Sequence, residues 1–471
     1  MGIPASQRNR ITNMTSLFKK STLSNLRCYL AASLFLLGFS SNASAQIGGG
    51  FGQQQAVGGV IVDTNGVIRS ATVDERKETL AAMRLAIPAA AGDLAQANEL
   101  RMISLSKLQA AVADLEKSGT PISEEMRYLA GLQRIEYVFV YPEQNDIVIA
   151  GPAEPWMVRD DASVVGVNSG RPVVTLDDLV VAFRSVETAR NEGITCSIEP
   201  TPEGRQRLQN LLKNVTMRVG QDPSGLEPAM REAFGPQLIK LTGVSKDSHY
   251  ARTLVAADYQ MKRIAMALEK APIDGLPSYL NIAKGQRTSA SSNPRWWMAC
   301  NYEALSRTED KLAWKLVGQG VKTLTENDLI SKTGVATPAN QIDPLAQKWA
   351  DTMTARYDAL SQAQSVFGEL RNCIDLSVVA TLIVQERLAE KAGCDLSTLL
   401  GTVETEKFNI PTTVEPQCSF VRGRSGWVVT ASGGVDVNAF EVVEKQTTAP
   451  ELADVRNGKP AVDAVRWWWN G

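Results

Sequence analysis

His249 is the only histidine in 471 residues, and a lone imidazole narrows the available chemistry at once. Any metal site that needs two histidines fails on count, and a histidine general base needs a serine or cysteine nucleophile brought beside it by the fold. It stands in Lys246-Asp247-Ser248-His249-Tyr250, at the expected start of a helix over 248–268. There Asp247 or Ser248 serves as the cap, and the plainer reading of His249 is a polar residue on the surface of the first turn.

The same helix carries Arg252, Asp258, Lys262, Arg263 and Glu269. Asp258 and Lys262 are four apart with the acid first, the favourable order for an exposed ion pair. Tyr250, Leu254, Ala257, Met261, Ile264 and Leu268 make the opposite, buried face. Two readings stand: an amphipathic structural helix, or a polar cleft in which Asp258, Lys262 and Arg263, with His249, hold an anion or move protons. These four are the weak catalytic candidates.

Asp160-Asp161 and Asp177-Asp178 are neighbours whose side chains diverge, so they read as a turn and a helix N-terminus rather than the paired carboxylates of glycoside hydrolysis. No calcium loop, GxSxG, P-loop or complete GxGxxG occurs. Gly318-Gln319-Gly320 is only a fragment of the last, and no metal site or cofactor is expected. The remaining candidates are aromatic. In Trp296-Trp297 strand alternation sends one ring inward and leaves Trp297 as a weak binding candidate. Trp467-Trp468-Trp469, near the end of the sequence, either dock on the protein itself or meet an external partner, because indole faces stack on sugars and anchor interfaces.

The elements that must place these residues follow from local pattern. Asn65-Gly66 inside VIVDTNGVIR predicts a hairpin over 60–69 with a type I′ turn. From Thr72 to Lys117 the periodicity predicts two or three helices, broken near Pro88 and Gly92, with Leu100, Ile103, Leu105, Leu108, Ala111, Val112 and Leu115 as one stripe. RIEYVFVY and DIVIAG predict a hairpin around PEQN, which a strand at 156–158 extends. A helix begins at Thr175; ITCSIE, a helix from Thr201-Pro202, a helix near 226–234 and QLIKLTGV follow. Residues 295–305 and 311–325 predict two long strands joined around SRTED, with Gly318 and Gly320 as bends. Residues 339–391 are helical with a break near Gln364, and Gly423, Gly426, Gly433 and Gly434 punctuate a strand-like tail over 415–445.

Composition bounds the class. At 44% hydrophobic and 21% charged the chain has material for a core. The first 45 residues hold five basic residues and no acidic one, then an apolar run from Cys28 to Phe39 and Ala43-Ser44-Ala45. That is the order of a cleaved secretory signal, with a mature start at Gln46. Removing it leaves 51 acidic residues and a net charge of about −7. With no basic stripe interleaved with aromatics, nucleic-acid binding is not expected, nor is a transmembrane span after cleavage. Five cysteines remain, Cys196, Cys300, Cys373, Cys394 and Cys418; in an oxidising compartment one or two disulfides are expected, while Cys373 reads as a core residue.

Several strings, RIEYVFVYPEQNDIVIAGPAEPW (134–156), SIEPTPEGRQRLQ (197–209), LVAADYQMKRIAM (254–266), PRWWMACNYE (294–303) and KLVGQGVKTLTE (315–326), resemble a planctomycete-type family of secreted proteins that carries only a domain-of-unknown-function label. The resemblance spans most of 60–440. It implies export and a shared architecture, and brings no catalytic residues, ligand or activity.

The sequence therefore predicts an α+β protein. Its expected parts are a signal peptide (1–45), a Gly/Gln-rich leader (46–59), a hairpin plus helical region (60–132) and a mixed α/β region (133–290). A β-hairpin and helical pair (291–400) and a small C-terminal β region with the Trp-rich tail (401–471) follow. The expected function is a non-enzymatic periplasmic, cell-envelope or extracellular interaction protein, with an envelope polysaccharide or envelope protein as partner. The alternative is a hydrolase or lyase acting on envelope polymer through a polar cleft that only the fold assembles.

Overall fold

A computed structural model describes residues 56–215, 223–284, 292–330, 336–338, 342–401, 403–417, 419–421, 427–429, 432–458 and 466–471. The expected signal, the leader as far as residue 55, and Cys418 lie outside them. Within them the class is α+β, built on two mixed sheets.

The chain opens with β1 (Val60–Val62) and β2 (Val67–Ser70), paired antiparallel. Their turn is not type I′, because only Gly66 has positive φ, whereas that turn needs two such residues. Instead Asp63 Oδ1 accepts from the amides of Asn65 and Val67. Helix α1 (Val73–Ala86) begins at a capping box between Thr72 and Glu75.

The helical stripe expected beyond it is interrupted by a strand, β3 (Asn98–Ser104). Arg101, Ile103 and Ser104 are buried in it beside Met102, so both faces are covered and the run shows no clean two-residue alternation. Ser104 ends the strand and caps α2 (Leu105–Ser118) through the Lys107 amide. Short α3 (Glu124–Arg127) precedes the expected hairpin, β4 (Tyr137–Tyr141) and β5 (Asp146–Ala153). The strand at Trp156–Val158, β6, does not extend that hairpin but pairs with β7 (Val164–Gly166).

The next stretch follows the sequence closely. Thr175 caps α4 (Leu176–Glu192), β8 is Ile194–Pro200, and Thr201-Pro202 starts α5 (Pro202–Lys213). Helix α6 (Glu227–Phe234), β9 (Gln237–Thr242) and α7 (His249–Ala265), capped by Ser248, complete it. After α8 (Tyr279–Ala283), the long antiparallel pair is β10 (Ser292–Asn301) with β13 (Gly320–Ile330). The expected long hairpin around SRTED is instead the short pair β11 (Leu305–Arg307) and β12 (Ala313–Lys315), which leaves one sheet to join the other. Gly318 (φ 128°) and Gly320 (φ 93°) bend the chain back between them.

Strand β14 (Ala336–Pro338) follows β13, and Gln364 separates α9 (Pro344–Ala363) from α10 (Ser365–Gln385). The later strands are β15 (Thr413–Val414), β16 (Ser419–Val421), β17 (Trp427–Val429), β18 (Ser432–Val437), β19 (Gln446–Thr448) and β20 (Trp468–Asn470). One sheet has the order β1-β2-β15-β9-β8-β18-β10-β13-β14, the other β19-β11-β12-β4-β5-β3-β20. Strands from early and late segments thus lie side by side in both. Helix α7 packs on β8 and β18, α9 on β13, and α10 lies against α4, α7 and α9. Apolar side chains from all these elements form one continuous core.

Candidate functional site

Helix α7 and its neighbours hold two polar assemblies, one at the His249 end and one around Asp258. At 1.5 Å per residue the nine positions between them amount to roughly 13 Å along the axis. The catalytic candidates of the sequence therefore do not converge on one cleft.

The Asp258–Lys262 pair is not exposed, as its spacing suggested, but fully buried. Lys262 Nζ donates to Asp258 Oδ2 at 2.9 Å, to the Ile198 carbonyl at 3.0 Å and to the Gly433 carbonyl at 3.1 Å. The cause lies in the sheet. Ladder pairing between β18 and β8 runs from Val437↔Ile194 to Gly434↔Ser197 and stops there, and Lys262 takes up the carbonyls just past its end. Gly433 is not the turn residue the sequence suggested; it lies within β18 at φ 107°, where a Cβ would meet the Trp296 carbonyl oxygen at 2.0 Å. Glu199 Oε1 accepts from the Gly433 amide and from Arg295. Burial pushes the Asp258 carboxyl well above the usual carboxylate range, against the pull of Lys262. The three hydrogen-bonding positions of the ammonium are all used, so the pair fastens α7 to two strands.

Arg263, the next residue, points elsewhere. Its Nε donates to Glu269 at 3.1 Å and its guanidinium lies 5.5 Å from the Tyr259 ring, closing the turn after α7.

His249 is neither a plain surface residue nor isolated. Its Nδ1 lies 2.9 Å from Asp178 Oδ2, and the same oxygen accepts from Thr175 Oγ1. The Phe408 ring lies 5.7 Å from the imidazole. Burial alone would lower the imidazole, but the Asp178 carboxylate, with Glu369 and Asp177 beyond it, carries it up to about 9. At neutral pH the ring is therefore cationic and donates to Asp178. Nε2 has no hydrogen-bond partner among the described residues.

Around this cation the fold gathers acids from distant positions. Burial raises Glu369 of α10 to about 7 against the pull of His249, and its Oε2 is buried without a hydrogen-bond partner. Burial also raises Asp177, Glu406 and Glu124, with Arg127 holding each of them back. Asp177-Asp178 do sit in the first turn of α4, as read, yet they also face His249 and the segment around Glu406. Spacing alone carries no signal for Glu369 or Glu406, which lie over a hundred positions away. Among the described residues no group of three or more His, Cys, Asp or Glu side chains is arranged to hold a metal ion.

The C-terminal tryptophans are part of the fold. Trp468 pairs with Ile103 and Trp469 with Met102 through β20, Trp467 and Trp468 are buried, and Trp468 Nε1 donates to Glu125. Arg101 lies over the Trp468 ring at 4.6 Å. Trp296 is fully buried against Trp349 and Tyr279, while Trp297 is half-buried on the other face of β10. In register with it across the sheet stand Leu324 on β13, Gly434 on β18, and then Ser197 and Lys240. Trp297 Nε1 donates to Glu326 at 2.7 Å, and Arg295 lies 5.2 Å from its ring.

The expected disulfides are not formed among the described cysteines: Cys196, Cys300, Cys373 and Cys394 are all free. Cys373 is a buried residue of α10. Among the described residues no helix is long and apolar enough to cross a membrane.

Residues 196–279 match a family model described as a protein of unknown function (DUF1598). The matched stretch runs from Cys196 in β8 to Tyr279 at the start of α8, so it includes His249 and the Asp258–Lys262 pair. No curated protein and no solved structure matches the chain.

Proposed function

We propose that the protein is exported and acts without catalysis, as an interaction protein of the cell envelope or extracellular space that binds an envelope polysaccharide. The observation that carries this reading is the solvent face of the nine-stranded sheet around Trp297. A half-exposed indole there is held by Glu326 and Arg295, and Leu324, in register beside it, is 42% exposed. Glu199 pairs with both Arg205 and Arg295, so the acids and bases beside the indole offset one another. An aromatic plane beside carboxylate and guanidinium groups of balanced charge suits a sugar ring, which offers an apolar face and hydroxyl edges. The basic, apolar and small-residue order of the first 45 residues supports export.

Cosedimentation of the purified protein with isolated, protein-free envelope polysaccharide tests this. Binding by the wild type that Trp297→Ala removes is the expected result. Equal binding by the two would move the contact elsewhere, and binding by neither would remove the reading.

One observation favours a second reading, a hydrolase or lyase of envelope polymer. His249 has one ring nitrogen fixed by Asp178 and the other unbonded, and Glu369, raised to about 7, stands near it. Two groups driven to different proton affinities are the raw material of acid–base catalysis. Release of soluble fragments from the same polysaccharide, abolished by Glu369→Gln, would establish it.

A further inference from the structure

Val403 to Thr412 contains no helix or strand, yet hydrogen bonds or ion pairs fasten it at Val403, at Glu406 to Asn409 and at Thr412. The Val403 carbonyl accepts from Arg184 at 2.8 Å. The Glu406 amide donates to Asp177 Oδ2 at 3.1 Å and the Phe408 amide to the Asp247 carbonyl at 2.8 Å. Lys407 pairs with Asp247 at 3.0 Å, and Asn409 Nδ2 donates to the Val62 carbonyl at 3.1 Å. The Phe408 ring lies between His249 and the Arg252 guanidinium, 5.4 Å away. The segment crosses the N-terminal ends of α4 and α7 and then enters β15, the strand that joins β2 to β9.

We propose that Val403–Thr412 is a strap latched by the cationic form of His249, closed while the imidazole holds its proton and released when it loses it. The geometry makes His249 the central cation of the cluster. Asp177 and Asp178 face it from α4, Glu369 from α10 and Glu406 from the strap itself. Arg127 of α3 is the second cation, shared by Glu124, Asp177 and Glu406. Arg159 and Asp161, which also face Glu369, hold each other at 2.6 Å, and Asp247 is taken by Lys407. Tyr250 and Cys373, buried beside Asp178, are pushed well up by burial and stay neutral, as does Tyr128 beside Glu124. Once His249 is neutral, Asp177, Glu406 and Glu124 keep Arg127 as a cation and Glu369 keeps Arg159, while Asp178 has lost its cation. Glu406 is the one among them that belongs to the strap.

The titrations act in one direction. His249 moves from 6.5 to about 9, so its contribution is complete below 6.5 and is lost as the pH rises through 9. Glu369 moves from 4.5 to about 7 by burial in the fold, so the folded protein binds its proton more tightly and loses stability as the pH rises from 4.5 to 7. Acid closes the strap and alkali opens it.

Amide hydrogen exchange on the whole protein between pH 7 and 10, corrected for the intrinsic pH dependence of exchange, reads this directly. The amides of Glu406 and Phe408 should lose protection by about tenfold or more, while Ile374 and Val378 in α10 keep theirs. His249→Gln should show the same loss already at pH 7, and the wild-type series decides the matter if that variant does not fold. Unchanged protection at Glu406 and Phe408 would overturn the proposal. So would a loss shared equally by α10, which would mean global unfolding, or a folded His249→Gln protein with wild-type protection at pH 7.

Discussion

The two ends of α7 use the same kinds of residue for opposite purposes. At Asp258 and Lys262 the charges are fully buried, and the ammonium is bonded to the carboxylate and to carbonyls of two strands. At His249 the side chain keeps 21% exposure, and its partners come from α4, α10 and a segment without regular structure. Burial raises carboxyls at both ends, Asp258 among them, but only at His249 does one titrating group face acids from several elements. An ion pair in a sealed site fixes geometry; the same chemistry beside solvent makes geometry depend on pH.

That contrast can be broken most severely at Lys262. Lys262→Met leaves Asp258 and two carbonyls buried without their partner, and should cost about 3–5 kcal/mol in urea denaturation. A loss under about 1 kcal/mol would mean the site is wetter than its burial implies. Replacing both charges, Asp258→Leu with Lys262→Met, should recover part of that loss, since no uncompensated charge remains, although the carbonyls of Ile198 and Gly433 stay unsatisfied. A double variant no better than the single one would place the whole cost in those carbonyls.

His249→Gln is expected to be milder, about 2 kcal/mol at pH 7, because a charge-assisted bond in a partly open site is lost. Its signature is in the pH dependence. Wild-type stability should fall as the pH rises from 6.5 toward 9, and the variant should lack that limb of the curve. Parallel curves would contradict the role given to the imidazole. The smallest effect belongs to Arg263, one residue from Lys262 but partly exposed: Arg263→Ala should cost about 0.5–1 kcal/mol, and less in high salt.

The sequence showed the helices through their caps: Thr175, Thr201-Pro202 and Ser248 begin α4, α5 and α7 where their side chains bond the amides of the first turn. It did not show β3, because a strand buried on both faces has no alternation to read. Nor did it show that β10 pairs with β13 past an intervening hairpin that belongs to the other sheet, since local pattern carries no pairing partner. Spacing identified Asp258 and Lys262 as a pair but not their depth, which is set by Ile198 and Gly433, 64 and 171 positions from Lys262. His249 was visible as a residue, whereas Glu369, which with Asp178 and Asp177 holds it cationic, and Glu406, which faces it, come together with it only in the fold.

Because His249 is the only histidine, its ring gives one signal that needs no assignment, and an NMR titration of the imidazole on the whole protein tests the central claim directly. A midpoint near 9 would show a cation held by the surrounding carboxylates, the result expected from the acids that face it. A midpoint at or below 6.5 would mean that burial prevails over those acids, and the latch would have no basis.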